Sequence, residues 1–250
     1  MRSTTTALAL LIAAGAVNAE ADRAAIEATV AQINTDAEVT SIKPSPIPGL
    51  NEVIADGVVL YISDNGQHML HGVLLDVPNR KNLTEATMSG IRVGMLDKVS
   101  DDTKIVYKPE GTPRHVVQMF TDVSCGYCKQ VHDQIKDYLA LGIQIEMLAF
   151  PRGGDQSEAF GTMQSIWCAS DRKAAYDLVL AGETVDSDSC LNPVRSHYEL
   201  GEKLGVQGTP TFFSEYGEQI GGYASPDDLL RTLDRSKSKR EKALAAAARP

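Results

Sequence analysis

Residues 114–139 constrain the fold most, because two cysteines stand there between two different apolar patterns. Residues 115–120 form an almost continuous apolar run, which is typical of a strand buried on both faces. Downstream, apolar residues recur at the spacing of one helix face: Val131, Ile135, Tyr138 and Leu139. The sequence therefore predicts a strand-to-helix corner, with Cys125 and Cys128 in the first turn of the helix. Residues three apart on a helix are neighbours, so the pair could open or close without refolding.

This placement predicts redox chemistry for Cys125. Unpaired N–H groups and the positive end of the helix dipole stabilise a thiolate, which is the attacking species in disulfide exchange. Cys128, one turn further and more covered, is the expected resolving thiol. A structural disulfide or half of a zinc site are the alternatives. Zinc takes a second close pair, and Cys168 and Cys190 are too far apart in the sequence to supply one. We therefore favour a redox-active pair.

Residues 1–19 have the pattern of a secretory signal peptide. Arg2 is the lone charge, residues 7–17 form an apolar core, and residues 17–19 make a small-residue cleavage site. The apolar core is too short to anchor the chain in a bilayer. We expect an exported, soluble mature chain without stable membrane association. The net charge of −9 argues against nucleic acid as a partner.

The region after the signal predicts a small α+β unit. Residues 20–34 have the apolar spacing of a short amphipathic helix, and Asn65-Gly66 predicts a hairpin between strands at 58–63 and 67–77. A unit of roughly 60 residues is marginally stable by burial alone. We therefore expect it to self-associate, the alternative being a monomeric domain packed on its neighbour. Next, Asn82 is a plausible N-cap for a connecting helix that runs to about Asp97.

The second half continues with a buried strand at 143–150 and then about thirty residues of helical pattern. Cys168 ends the first of these helices, and Cys190 follows a polar loop. A bridge between them would close a loop of about 23 residues and contribute on the order of 3 kcal/mol. We favour this bridge over two free exported thiols.

The last motifs are a proline that opens an apolar strand and a helix start. Pro210 precedes the strand, and composition does not tell whether its peptide bond is cis. Residues 225–228 supply the N-cap, the N1 proline and the acidic first turn of a helix, with Leu229, Leu230 and Leu233 as its buried face. From residue 237 the chain is basic and Ala-rich, which fits either a frayed helix extension or a disordered tail.

In their order along the chain, these motifs resemble the periplasmic disulfide isomerases of the DsbC type, a branch of the thioredoxin fold. The matching segments are residues 59–62, 105–108, 137–138, 140–143 and 204–206, together with Phe120-Thr121-Asp122, Cys125-Gly126-Tyr127-Cys128, Leu148-Ala149-Phe150-Pro151-Arg152, Ile166-Trp167-Cys168 and Gly208-Thr209-Pro210. The resemblance covers the chain to about Leu233. Only the basic, Ala-rich C-terminus departs from the family.

The resemblance implies an α+β, cystatin-like N-terminal dimerisation domain joined by a linker helix to an α/β thioredoxin-fold domain with a helical insertion. The implied limits are a signal peptide at 1–19, the dimerisation domain at 20–83, the linker helix at 84–100, the catalytic domain at 101–236 and a tail at 237–250. A V-shaped homodimer would hold misfolded substrate in an apolar cleft.

The resemblance also implies the site and its partners. Cys125 and Cys128 would be catalytic, Gly126, Tyr127, Thr209 and Pro210 would contact substrate, and Cys168 and Cys190 would form a structural disulfide. Thr209–Pro210 would be a cis-proline loop that faces the cysteines. Substrates would be exported proteins with non-native disulfides, and a membrane thiol-disulfide electron donor (DsbD-like) would keep the pair reduced. No metal and no organic cofactor would be needed.

Other functions use the same architecture. A dithiol oxidase would use the same cysteines in oxidised form, although the dipeptide between them and the residue before Pro210 resemble the isomerase. A sister isomerase-chaperone (DsbG-like) would reduce sulfenylated cysteines. A holdase-type binding protein would rely on the cleft alone, and replacing Cys125 with Ala would leave its activity intact.

Overall fold

The structure is a computed structural model that describes residues 22–186 and 189–247. The chain divides into two compact units, residues 1–71 and 72–250. The predicted signal peptide at 1–19 lies outside the described residues. Among those that are described, no helix combines the length and the apolar character needed to cross a membrane.

The first unit is one helix on an antiparallel sheet. Its elements are α1 (Arg23–Ile33), β1 (Val39–Pro44), β2 (Leu50–Ala55), β3 (Val58–Ser63) and β4 (Met69–Leu70), with the strands in the order β1-β2-β3-β4. The predicted helix is confirmed: the Asp22 side chain caps it by accepting from the Ala25 N–H, and Ile26 and Val30 are buried. They pack on Val53 and Ile62 of the sheet, which forms the core of this unit.

The predicted hairpin at Asn65-Gly66 is present, but its second strand is much shorter than expected. Only Met69 and Leu70 pair with β3. The prediction of one strand over 67–77 is wrong, because Leu75 and Asp76 pair instead with a later segment. That pairing makes a separate small hairpin of β5 (Leu75–Asp76) and β6 (Lys81–Asn82). The apolar run at 67–77 is therefore divided between two hairpins, because Lys81 and Asn82 pair with its second half.

The connecting helix is α2 (Leu83–Leu96), and the Asn82 side chain caps it as predicted, accepting from the Glu85 N–H. The start of α2 is bonded to the β5–β6 hairpin through Leu74, whose N–H donates to the Thr84 hydroxyl. This hairpin belongs with α2 to the second compact unit, which begins at Gly72.

The second unit is built on a five-stranded sheet. Its remaining elements are β7 (Ile105–Tyr107), β8 (His115–Thr121), α3 (Gly126–Asp133), α4 (Ile135–Ala140), β9 (Ile143–Ala149), α5 (Glu158–Cys168), α6 (Arg172–Leu180), α7 (Val194–Lys203), β10 (Thr211–Ser214), β11 (Gln219–Gly221) and α8 (Pro226–Ala247). The strand order is β11-β10-β8-β9-β7, with β8 and β9 parallel and the other pairs antiparallel.

The two central strands are buried on both faces, which confirms the prediction from their apolar runs. Val117 and Met119 of β8 belong to a core that includes residues from helices α3 to α8. On the other face, Phe120 joins a second core with Leu96 of α2 and Phe213 of β10. Helix α2 thus packs directly on the sheet that carries the cysteines.

Two helices differ from the expectation. The helix after the cysteines is broken at Gln134 into α3 and α4. Val131 and Tyr138 are still buried on one face. Because the apolar spacing continues across Gln134, the sequence pattern does not reveal the break. At the C-terminus, the Ser225 hydroxyl caps α8, and this helix continues through the basic segment to Ala247. Of the two alternatives for this segment, the structure has the helix extension.

Candidate active site

The two free cysteines lie at the junction of β8 and α3. Cys125 is the N-cap residue of α3, and Cys128 stands in its first turn. The corner is held by the N–H of Cys125, which donates to the Asp122 carbonyl. Both thiols are buried, Cys128 completely.

Cys125 is surrounded by groups that favour its thiolate. Burial raises the pKa of Cys125, but the Thr209 side chain and the backbone N–H groups of Cys128 and Tyr127 offset it by hydrogen bonding, and the net pKa is lower than that of an ordinary thiol. The Thr209 hydroxyl is buried and has no hydrogen-bond partner among the described residues, so its hydrogen is free to turn toward a thiolate at either cysteine. In its protonated form, the Cys125 thiol donates to the Thr209 carbonyl at 3.1 Å.

Cys128 has the opposite character. Burial is the main reason that its pKa rises to about 12, and the charge of Cys125 contributes in the same direction. The pair therefore holds one thiol whose ionisation is favoured and one that keeps its proton. This is the asymmetry that a nucleophile and a resolving cysteine need.

A cis peptide bond joins Thr209 to Pro210, and this loop faces Cys125. Beside the loop is a groove of about 470 Å³ that reaches the edge of the sheet at Gln219. Four glycines contribute to its wall: Gly205, Gly208, Gly221 and Gly222. Because these positions carry no side chain, backbone alone borders the groove there.

An aromatic pair borders the cysteines. Tyr127 is 61% exposed and stacks on Tyr223, with ring centroids 6.2 Å apart. The Tyr223 hydroxyl donates to Gln134 at 2.6 Å, which fixes its ring. A Cβ at Gly126 would meet no atom of the described residues within 4 Å, so the space beside this position is open. No sequence pattern pointed to Tyr223, because its place beside Tyr127 comes from the tertiary fold.

An ion pair between a buried carboxylate, Asp122, and an exposed guanidinium, Arg152, fixes the corner that presents Cys125. The Asp122 carboxylate accepts from the backbone and side chain of Ser124 and from the backbone and Nε of Arg152, at 2.7–2.9 Å. Burial raises the pKa of Asp122, but these bonds outweigh it and hold the pKa below its usual value. Asp122 and Arg152 both belong to motifs that match the family, but the sequence analysis assigned no role to either of them.

The second cysteine pair is a disulfide. Cys168, the last residue of α5, is bonded to Cys190 in the loop before α7. Asn192 follows this loop and donates to the Cys190 carbonyl. Within residues 22–186 and 189–247, no group of three His, Cys, Asp or Glu side chains comes together as a set of metal ligands.

Comparisons with known proteins agree with this architecture. Residues 17–85 match the disulfide bond isomerase protein N-terminal domain, and residues 101–237 match a thioredoxin-like domain. The chain is 40% identical to a thiol:disulfide interchange protein DsbC of Dickeya dadantii, over 88% of this chain and 90% of that protein. It is 39% identical to DsbC of Escherichia coli strain K12, over 90% and 92%. A disulfide interchange protein from Neisseria gonorrhoeae has a solved structure with 28% identity and a TM-score of 0.48, covering 54% of this chain and 98% of that one.

The two matched domains confirm the predicted fold, an N-terminal domain of the isomerase type followed by a thioredoxin-like domain. The identity of about 40% extends over nearly the whole of both chains, so it includes both domains. The chain therefore belongs to the DsbC family of thiol:disulfide interchange proteins.

Proposed function

We propose that this chain is a periplasmic protein disulfide isomerase and reductase that rearranges wrong disulfides in exported proteins through Cys125. The observation that carries the proposal is the asymmetry of the pair. Cys125 lies at a helix N-terminus where side-chain and backbone hydrogen-bond donors favour its thiolate, whereas Cys128 is completely buried and keeps its proton. One thiol is thus prepared to attack and the other to resolve.

In the first step, the Cys125 thiolate attacks one sulfur of a substrate disulfide. The bond between Cys125 and the substrate forms, the substrate S–S bond breaks, and the electron pair leaves on the other substrate sulfur. A substrate thiolate that then attacks the mixed disulfide makes a new substrate bond and returns Cys125 as a thiolate. Isomerisation by this route needs no net oxidant or reductant.

The resolving route uses Cys128. Its sulfur attacks Cys125, the Cys125–Cys128 disulfide forms, and the substrate leaves as a thiol that takes the proton lost by Cys128. The substrate has gained two electrons and the chain has lost them, so an external dithiol must restore the reduced pair. We assign this role to a membrane thiol-disulfide electron donor of the DsbD type.

Substrate binding is assigned to the surfaces around Cys125. The backbone of Thr209 and Pro210, the open surface at Gly126 and the exposed ring of Tyr127 would hold an extended segment of an unfolded substrate. The N-terminal domain would supply a homodimer whose cleft binds misfolded chains, and residues 1–19 would direct export. The acidic net charge of −9 is consistent with a protein substrate and not with nucleic acid.

The test is the recovery of activity by scrambled, oxidised ribonuclease. The purified mature chain should restore activity, and the Cys125→Ala variant should not. A Cys168→Ala/Cys190→Ala variant is the matched control, since it also loses cysteines but keeps the reactive pair. If the unaltered chain and Cys125→Ala only suppress aggregation to the same extent, the chain is a holdase and the proposed function is wrong.

A further inference from the structure

A buried pair of hydroxyl groups lies beside Cys128, and neither the fold nor the exchange steps above give it a role. Thr121 is the last residue of β8, and Tyr176 stands on α6, 55 residues later in the chain. Their oxygen atoms are 2.7 Å apart, and either atom could be the donor. Both side chains are completely buried.

The pair reaches the sulfur of the resolving cysteine. The Thr121 hydroxyl is a hydrogen-bond partner of the Cys128 thiolate, and the Tyr176 hydroxyl is close enough for the charge on Cys128 to raise the pKa of the phenol, in addition to the larger effect of burial. Tyr176 therefore stays protonated: it can donate to Thr121 or accept from it, and it does not act as a base. The other donors near Cys128 are the Asp122 N–H and the Thr209 hydroxyl, which also serves Cys125.

The resolving step requires a thiolate at a site that strongly disfavours one. Cys128 is fully buried, and removal of its proton leaves a charge that water does not reach. A chain of two hydroxyl groups can adapt to both states of the sulfur. With a thiol at Cys128, Thr121 would donate to Tyr176 and its oxygen would be left to accept from the S–H. With a thiolate, both hydrogens turn around, so that Tyr176 donates to Thr121 and Thr121 donates to the sulfur.

We propose that Thr121 and Tyr176 form a reversible hydrogen-bond relay that stabilises the Cys128 thiolate while it resolves the mixed disulfide. Thr121 contacts the reacting sulfur and is a catalytic residue, whereas Tyr176 acts through Thr121 and is a positioning residue. The relay carries no net proton: the Cys128 proton goes to the leaving substrate thiolate, and the Cys125–Cys128 bond replaces the bond between Cys125 and the substrate. The inference rests on the proposed function and deepens its second route.

The test separates attack from resolution. Reduced protein is mixed with oxidised glutathione, samples are quenched in acid at successive times, and mass spectrometry follows the Cys125–glutathione adduct. The rate of adduct formation reports attack by Cys125, and the rate of its decay reports resolution by Cys128. Thr121→Val, which keeps the shape of the side chain, should slow the decay about tenfold to hundredfold, the effect of one lost hydrogen bond to a charged group.

Tyr176→Phe should slow the decay about fivefold, because Thr121 loses the neutral donor that orients it. Thr121→Ser should recover most of the rate. Tyr138→Phe is the matched control: it removes another buried tyrosine hydroxyl of the same core, one that donates to the Ala224 carbonyl, and should leave both phases unchanged.

Two results would overturn the relay. One is an unchanged decay in Thr121→Val and Tyr176→Phe. The other is an equal slowing of adduct formation and decay, which would show a general disturbance of the site. If the unaltered chain forms no adduct at all, the proposed function fails and the relay fails with it, and this outcome is distinct because the first phase itself is missing.

Discussion

The second unit contains two cysteine pairs at opposite ends of helices, and their chemistry differs accordingly. Cys125 caps the N-terminus of α3, where N–H groups point at its sulfur, and it is a free thiol. Cys168 is the last residue of α5, at the end where carbonyl groups point outward, and it is bonded to Cys190. A helix N-terminus stabilises a thiolate, and a C-terminus disfavours one.

The comparison shows how one fold separates exchange from stability. The pair at the N-terminus gains reactivity because an anion is favoured at that end of the helix. The pair at the C-terminus resists reduction, because opening its disulfide would leave a thiolate at the end of the helix that disfavours an anion. The position of each cysteine on its helix, more than its exposure, distinguishes the two pairs, since Cys125 is itself buried.

The largest effect should come from Cys125→Ala, which should reduce disulfide exchange to the uncatalysed level because Cys128, the other free thiol among the described residues, is completely buried and keeps its proton. The rate of reduction of a protein disulfide by the pre-reduced chain measures this. The Cys168→Ala/Cys190→Ala variant should retain the rate of the unaltered chain. A comparable loss of the exchange rate in both variants would show that the two cysteine pairs do not have separate roles.

The stability of the same two variants should show the reverse pattern. Removing the Cys168–Cys190 bridge should lower the free energy of unfolding by about 3 kcal/mol, since it opens a loop between residues that are 22 apart in the sequence. Urea denaturation under non-reducing conditions gives this value. If the free energy of unfolding is unchanged, the bridge is not structural.

Lowering the pH should destabilise the fold through His197, which lies on α7, the helix that follows the disulfide. Burial is the main reason that its pKa falls to about 4, with the charges of Lys104 and Arg172 contributing, whereas the unfolded chain protonates at about 6.5. The unfolded state then binds more protons, so stability is full above pH 6.5 and falls by about 3 kcal/mol as the pH drops to about 4.

Denaturation curves at these two pH values, for the unaltered chain and for His197→Asn, isolate this contribution from that of the carboxylates. The pH dependence should be smaller in the variant. An identical pH dependence in the two proteins would show that His197 is protonated without cost in the fold.

The smallest effect should come from Thr209→Val. Without its hydroxyl, the Cys125 thiolate loses a donor, its pKa rises, and the attack rate at neutral pH should fall about tenfold. Thr209→Ser, which keeps the hydroxyl, should stay close to the unaltered chain. The reaction with oxidised glutathione gives the rate. Equal rates in Thr209→Val and in the unaltered chain would leave the helix N-terminus as the sole source of thiolate stability.

The sequence predicted the features that depend on local pattern. The corner at Cys125 followed from a change of apolar period, and the caps of α2 and α8 followed from Asn82 and Ser225. Features set by tertiary packing were not predictable. Thr121 meets Tyr176 across 55 residues, and Tyr127 meets Tyr223 through the return of the chain beside the active site. The run at 67–77 does not form one strand because its second half pairs with Lys81 and Asn82, and no local pattern identifies that pairing.

The central claim is that the fold lowers the pKa of Cys125 below that of an ordinary cysteine. The most direct test is the rate of alkylation of reduced protein by iodoacetamide as a function of pH, with mass spectrometry used to follow Cys125 alone. We predict a midpoint clearly below the value of about 8.5 for a free cysteine, because hydrogen bonds to the thiolate outweigh burial. A midpoint at or above that value would contradict the account.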